Sequence, residues 1–210
     1  MTSTMRFEKW ERPDTLASVN FNDVAVKNGV GLVPIVPTSV TLSGGTQTTS
    51  STGLVTFSNS NMIQLDGVFT SDFENYRIFF RYNQASAHDT VYKLCSGGAV
   101  ESMTYLWTGN YAHQSGTNGA WVASTQQYLP AGYGGAASAN QSHAMDVFSP
   151  ANPTWATKFH VQNHTWNTYW AHGVYGAFGE TIKASDGIRY YSSSGVNLNG
   201  GIIQVFGYNS

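Results

Sequence analysis

"NYRIFFRYN", residues 75–83, decides what kind of chain this is. Tyr76, Ile78 and Phe80 fall on one side of an extended backbone, with Arg77, Phe79 and Arg81 on the other. Successive side chains of a strand point to opposite faces, so this alternation predicts a half-buried β-strand. The same rhythm recurs in "WATKFHVQ" (155–162), where Trp155, Thr157, Phe159 and Val161 alternate with Ala156, Lys158 and His160. Further strand-like runs lie at 53–58, 61–69, 90–95, 102–107, 120–129, 143–149, 166–178, 187–191 and 200–208. Turn-rich separators stand between them: "CSGGAV", "QSGTNG", "LPAGYGG", "SPANP" and "NLNGG". "SDFENY" (71–76) reads as one helical turn, capped by Ser71 with Glu74 three residues on. The pattern predicts eight to eleven short strands and no long helix. The expected fold is all-β: an antiparallel β-sandwich of jelly-roll type over residues 53–210.

Composition agrees. Charged residues are 10% of the 210, against roughly 25% in an average soluble protein. Hydrophobic residues reach 41% and aromatics 14%. Polarity rests on Ser, Thr, Asn, Gln and Gly, which disfavours helices and suits strands and turns. A net charge of −2 with scattered Lys and Arg argues against a nucleic-acid partner. The single cysteine, Cys95, excludes an intramolecular disulfide and a Cys-based metal site. No apolar run approaches the length of a membrane span, and the charged start "MTSTMRFEKWERPD" lacks the apolar core of a signal peptide. Synthesis in a cytosol, without membrane insertion, is the expectation.

Charge placement predicts the organisation. Residues 1–27 carry eight of the 22 charged side chains, whereas 28–65 and 102–145 carry none. Within 1–30, Ala17, Val19, Phe21 and Asp23 alternate with Leu16, Ser18, Asn20 and Asn22, as in a strand. So short a segment cannot bury its own apolar face. It reads as an attachment or oligomerisation segment, with a flexible tail as the alternative; Phe7, Trp10, Val19 and Phe21 are its contact candidates. Then comes "GLVPIVPTSV" (31–40), whose Pro34 and Pro37 exclude a helix and a central strand. With the Ser/Thr/Gly tract to residue 52 it reads as an extended neck and linker. Val33, Pro34, Ile35 and Pro37 are placed to contact other copies around a symmetry axis.

Catalytic signals are weak. His160 and His164 in "HVQNH" would pair as metal ligands on a helix, but on a strand they stand roughly 13 Å apart. Asp72 and Glu74 read as turn residues, Asp66-Gly67 and Asp186-Gly187 as turn dipeptides, and Asp146 as a strand-face residue. No nucleophile elbow or dinucleotide fingerprint occurs, Cys95 reads as a small buried residue, and no cofactor or metal is expected. The aromatic, amide-rich and charge-free stretches 109–121 and 165–172 are different. Tyr111, Trp121, Trp166, Asn167 and Trp170 offer flat rings and amides suited to a neutral glycan; filling the core or a subunit interface is the competing role.

"GLVPIVPTSV", then the Ser/Gly/Thr stretch, then "GLVTFSNSNMIQLDGVFTSDFENYRIFFR" resembles a module encoded among the structural genes of tailed bacteriophages. The end, "GIRYYSSSGVNLNGGIIQVFGYN", is similar to that module's last strands. The resemblance spans roughly residues 30–210; the middle, 97–142, matches no fixed pattern and fits loops that vary with target. Such modules are known as minor tail, tail-fibre or head-fibre proteins. The resemblance implies a virion-surface location and a trimeric β-sandwich head; beside it, residues 1–30 read as the segment that docks on a tail or major capsid protein. The expected function is non-enzymatic: a fibre-like minor tail protein whose head binds a host-surface glycan. A capsid decoration or head-fibre protein is the alternative, and a glycan-degrading virion enzyme a weaker one.

Overall fold

A computed structural model of the chain describes residues 31–86, 89–113, 116, 118–132, 140–165, 170–178 and 183–209. Its strands, in chain order, are β1 (Val33–Ile35), β2 (Ser39–Leu42), β3 (Thr46–Thr49), β4 (Val55–Ser60), β5 (Met62–Asp66), β6 (Asn75–Gln84), β7 (Thr90–Ser96) and β8 (Ala99–Val100). They continue with β9 (Tyr105–His113), β10 (Asn118–Gln126), β11 (Leu129–Gly132), β12 (Asn140–Phe148), β13 (Lys158–Thr165), β14 (Trp170–Phe178), β15 (Gly187–Ser192) and β16 (Leu198–Tyr208). Among the described residues no helix occurs.

The described residues form two antiparallel sheets. The larger runs β10-β9-β14-β13-β12-β6-β16-β4-β3, with β1 beside the C-terminal half of β16. The smaller runs β11-β7-β15-β5-β2, with β8 on β7. Residues of one parity point between the sheets. On β6 the inward set is Tyr76, Ile78, Phe80 and Tyr82, all at most 2% exposed, while Phe79 is 44% exposed. Met145 and Val147 of β12, Phe159 and Val161 of β13, and Ile203 and Val205 of β16 extend that inner face. Ile63, Leu65, Tyr92, Leu94, Ile188 and Tyr190 close the core from the smaller sheet. The Tyr190 ring, beside Tyr92 in the smaller sheet at 4.0 Å, meets Phe80 of the larger sheet at 4.4 Å, so the two sheets interlock through aromatics. Each such side chain contributes roughly 1.5–3 kcal/mol of burial. The chain is an all-β, antiparallel sandwich, as its alternation predicts.

The placement of residues 31–52 outside the head is corrected by the sheet register. Val33 to Ile35 pair with Gly207 to Val205, Ser39 to Leu42 with Asp66 to Ile63, and Thr46 to Thr49 with Ser58 to Val55. These strands lie at sheet edges, where Pro34, exposed and without an N–H, does no harm to a ladder. Val33, Ile35, Val40 and Leu42 pack on this chain's own core, and Pro37 is buried. The apolar surface assigned to contact between copies is thus used within the chain; Leu32 and Val36 stay exposed. The Ser/Gly tract carries the chain from the smaller sheet to the larger one, where β3 forms a hairpin with β4: Gly44 and Gly45 have φ of 85° and 73°, and a Cβ on Gly45 would collide with the Ser58 carbonyl.

Smaller expectations change too. Residues 71–74 form a turn and bend, not a helical turn: Thr70, not Ser71, caps it, its Oγ1 accepting from Asp72 N. Tyr76 Oη anchors this loop, accepting from Thr70 N at 2.7 Å and donating to Thr70 O at 2.6 Å. Strand β5 stops at Asp66 because Gly67 takes φ 65° and the Val68 and Phe69 amides turn to Asp186 O. Gly187 is a strand residue with no room for a Cβ beside Leu65 O, not a hairpin glycine. Trp155, 64% exposed, precedes β13 rather than starting it.

Candidate functional site

The two charge-free aromatic stretches lie far apart in sequence and adjacent in the sheet. Strands β10, β9 and β14 are consecutive at one edge of the larger sheet. Tyr111 stands opposite Gly119 on one side and His172 on the other. Trp121 stands opposite Gly109, and Trp170 opposite His113. Residues 109–113 and 118–119 are therefore strand, extending the runs predicted at 102–107 and 120–129. Each glycine faces an aromatic residue across the pair, and a Cβ on Gly119 would come within 2.5 Å of the half-buried Tyr111 ring. The outward positions of β9, Leu106, Thr108, Asn110 and Ala112, carry no charge. Val122 beside them on β10 is 81% exposed. Trp166 and Asn167, and the docking candidates Phe7, Trp10, Val19 and Phe21, lie outside the described residues.

Following the Tyr111 row across the larger sheet leads into the interior. The register runs Tyr111, His172, Asn163, His143, Phe80 and Ile203. Asn163 is 1% exposed and His143 3%, and Gln141, one inward position along β12, is 1% exposed. The His143 ring sits edge-on to Phe80 at 5.8 Å and to Tyr82 at 5.4 Å, and its Nδ1 hydrogen-bonds Tyr92 Oη at 2.7 Å. Asn163 differs from its neighbours: neither its Nδ2 nor its Oδ1 has a hydrogen-bond partner. A buried polar group left unsatisfied costs about 1–3 kcal/mol. The inner face of the larger sheet is thus apolar along Ile78, Met145 and Val161, and polar at Gln141, His143 and Asn163. Parity was the signal that marks Asn163 in the sequence, since Phe159 and Val161 precede it at core positions. His160 and His164 of "HVQNH" fall on the opposite, outer face.

The outer face of the larger sheet is open and mixed. Arg77 grips Asp146 with two bonds, Nε to Oδ1 at 2.7 Å and Nη2 to Oδ2 at 2.8 Å. That hydrogen bond holds the Arg77 guanidinium even more firmly protonated than usual. His160 Nδ1 stands 4.0 Å from the same carboxylate, and His164 is exposed further along β13. Asp146 is therefore an ion-paired strand-face residue. Phe79 and Phe206 meet edge to face at 5.8 Å on this surface.

Beside the smaller sheet, Lys93, Val100, Glu101, Ser102, Met103 and Gln127 line a cavity of about 160 Å³. The Glu101 side chain is 2% exposed, with Lys183 Nζ 3.9 Å from Oε1 and Ser185 Oγ donating to Oε1 at 3.2 Å. Burial pushes its carboxyl above the usual range, more than Lys183 and Ser185 pull it down. Cys95 is buried, and burial raises its thiol to about 12, which removes it as a nucleophile at neutral pH. Among the described residues no group of three His, Cys, Asp or Glu side chains stands ready for a metal ion.

No protein-family model matches the chain, and no curated protein matches it. Among solved structures it is similar to a Shewanella oneidensis MR-1 protein of unknown function, at 10% identity over 86% of this chain and 80% of that one, TM-score 0.36. It is also similar to the marine PL-14 alginate lyase from Aplysia kurodai, at 8% identity over 85% and 99%, TM-score 0.34. A third is an alginate lyase, Aly36B, in complex with alginate tetrasaccharide, at 11% identity over 74% and 81%, TM-score 0.25. Likeness at this level carries no argument about what the chain does.

Proposed function

We propose that this chain is a bacteriophage virion-surface protein, a fibre-like minor tail protein that binds a host-surface glycan with its β-sandwich. One observation supports the glycan reading most. Two uncharged, aromatic and amide-rich stretches, separated by more than forty residues of sequence, stand on neighbouring strands at one sheet edge through the Tyr111–His172 and Trp170–His113 registers. Rings that stack on sugar and amides that bond hydroxyls need that proximity to act on one ligand. A charge-free surface avoids desolvating ions and suits a neutral polymer. The virion location rests on the resemblance of residues 30–210 to tailed-phage modules. Docking through residues 1–30 and assembly as a homotrimer belong to the same proposal.

Purified chain, added to host cells ahead of virions, is expected to occupy the receptor and lower adsorption. The Tyr111→Ala chain should need about tenfold more protein for the same block, the loss of one stacking contact of roughly 1–1.5 kcal/mol. Adsorption untouched by saturating chain would contradict receptor binding.

A further inference from the structure

We propose that the polar seam of Gln141, His143 and Asn163, on the inner face of the larger sheet, binds a saccharide ring through neutral hydrogen bonds. This deepens the glycan reading and rests on it for the ligand class. Asn163 carries the argument. It is 1% exposed, and its amide has both a donor and an acceptor without a partner. Its inward neighbours on the same strand, Phe159 and Val161, are apolar, so packing alone does not call for an amide there. An amide is what two adjacent sugar hydroxyls require, one accepting from Nδ2 and one donating to Oδ1.

The surroundings name the ligand more closely. Gln141, His143, Asn163, Tyr82 and Tyr92 include no formally charged side chain, so nothing in the seam compensates a carboxylate or phosphate. His143 is held by Phe80, Tyr82 and the Tyr92 hydroxyl, which fixes its ring and gives the seam a rigid wall. Tyr111 stands two strands away in the same row, about 10 Å at the usual strand spacing, close enough to stack on a second ring of the same glycan. Strand β11, an edge strand of the smaller sheet that pairs with β7, lies against β13, the strand that carries Asn163, and against β14.

The experiment is a titration of the full chain with neutral methyl glycosides of glucose, galactose and mannose, read at the Asn163 side-chain amide by NMR and by heat. One of the glycosides is expected to shift that signal. Asn163→Leu is expected to weaken its binding about tenfold or more while raising Tm, because an unsatisfied buried amide is removed. Asn163→Ser, which cannot overpack, is the second variant and should weaken binding without the rise in Tm. Unchanged binding in both variants, or no shift of the Asn163 signal with any of the three sugars, overturns the seam. Loss of binding only in Tyr111→Ala would overturn the seam and leave the surface-glycan reading intact. A sugar bound at Asn163 by a chain that does not block adsorption would do the reverse.

Discussion

Glu101 tests the electrostatics of the sandwich at the scale of one residue. Its side chain is 2% exposed, and burial holds its carboxyl above the usual range despite Lys183. The folded chain thus keeps the Glu101 proton to higher pH than the unfolded chain does. Stability falls as pH rises from the ordinary Glu range through the raised value, and is level above it. Glu101→Gln keeps the volume and the bond from Ser185, and removes the charge. We expect equal Tm near pH 4 and a Tm about 2–4 °C higher for the variant at pH 7, the shift roughly 1 kcal/mol makes in a domain of this size. Thermal unfolding across that range checks it; a variant less stable at pH 7 than the wild type would show that Lys183 outweighs burial. Residue roles of this kind were only partly legible. The inward set Tyr76, Ile78 and Phe80 follows from alternation alone, whereas nothing local in "GGAVESM" says that Glu101 is enclosed by Ser185 and Lys183 from more than eighty residues away.

At the scale of elements, β1 to β3 separate what a local pattern can and cannot tell. Prolines and a Ser/Thr/Gly tract read as neck and linker, because composition carries no information about a partner strand late in the chain. Val33 to Ile35 find theirs at residues 205–207, and Pro34 fits because β1 is an edge. The β9–β10 hairpin runs further toward its turn than the strand-like runs 102–107 and 120–129, for a related reason. Gly109 and Gly119 look like loop punctuation, but both are strand residues, and Gly119 leaves room for the Tyr111 ring opposite it. A pair of truncations tests the corrected boundary. Removal of residues 1–30 spares every described strand and should leave Tm within a few degrees of the full chain. Removal of residues 1–52 strips β1, β2 and β3, baring edges of β16, β5 and β4, and should give a chain that aggregates or unfolds well below the full-length Tm. A 53–210 fragment as stable as the full chain would restore the linker reading. Loss of residues 1–30 should also abolish incorporation into particles.

For the whole molecule, the sandwich was legible because period-two alternation is local, repeated and insensitive to strand order. The order itself was not, since it is set by pairings such as β6 with β12 and β16 that many sandwiches could make differently. The candidate site was half legible: residue types pointed to Tyr111, Trp121 and Trp170, but only the register puts their strands side by side, and only the Tyr111 row leads inward to Asn163. Both observations serve one claim, that the chain is a virion-surface protein that meets a host glycan. Cryo-EM reconstruction of intact virions of a phage that encodes the chain tests that claim most directly. The account predicts sandwich-shaped density in a few copies at the tail end, with the β10–β9–β14 edge facing outward. Regular density over the capsid would make it a decoration protein, and particles without the chain would contradict the virion reading altogether.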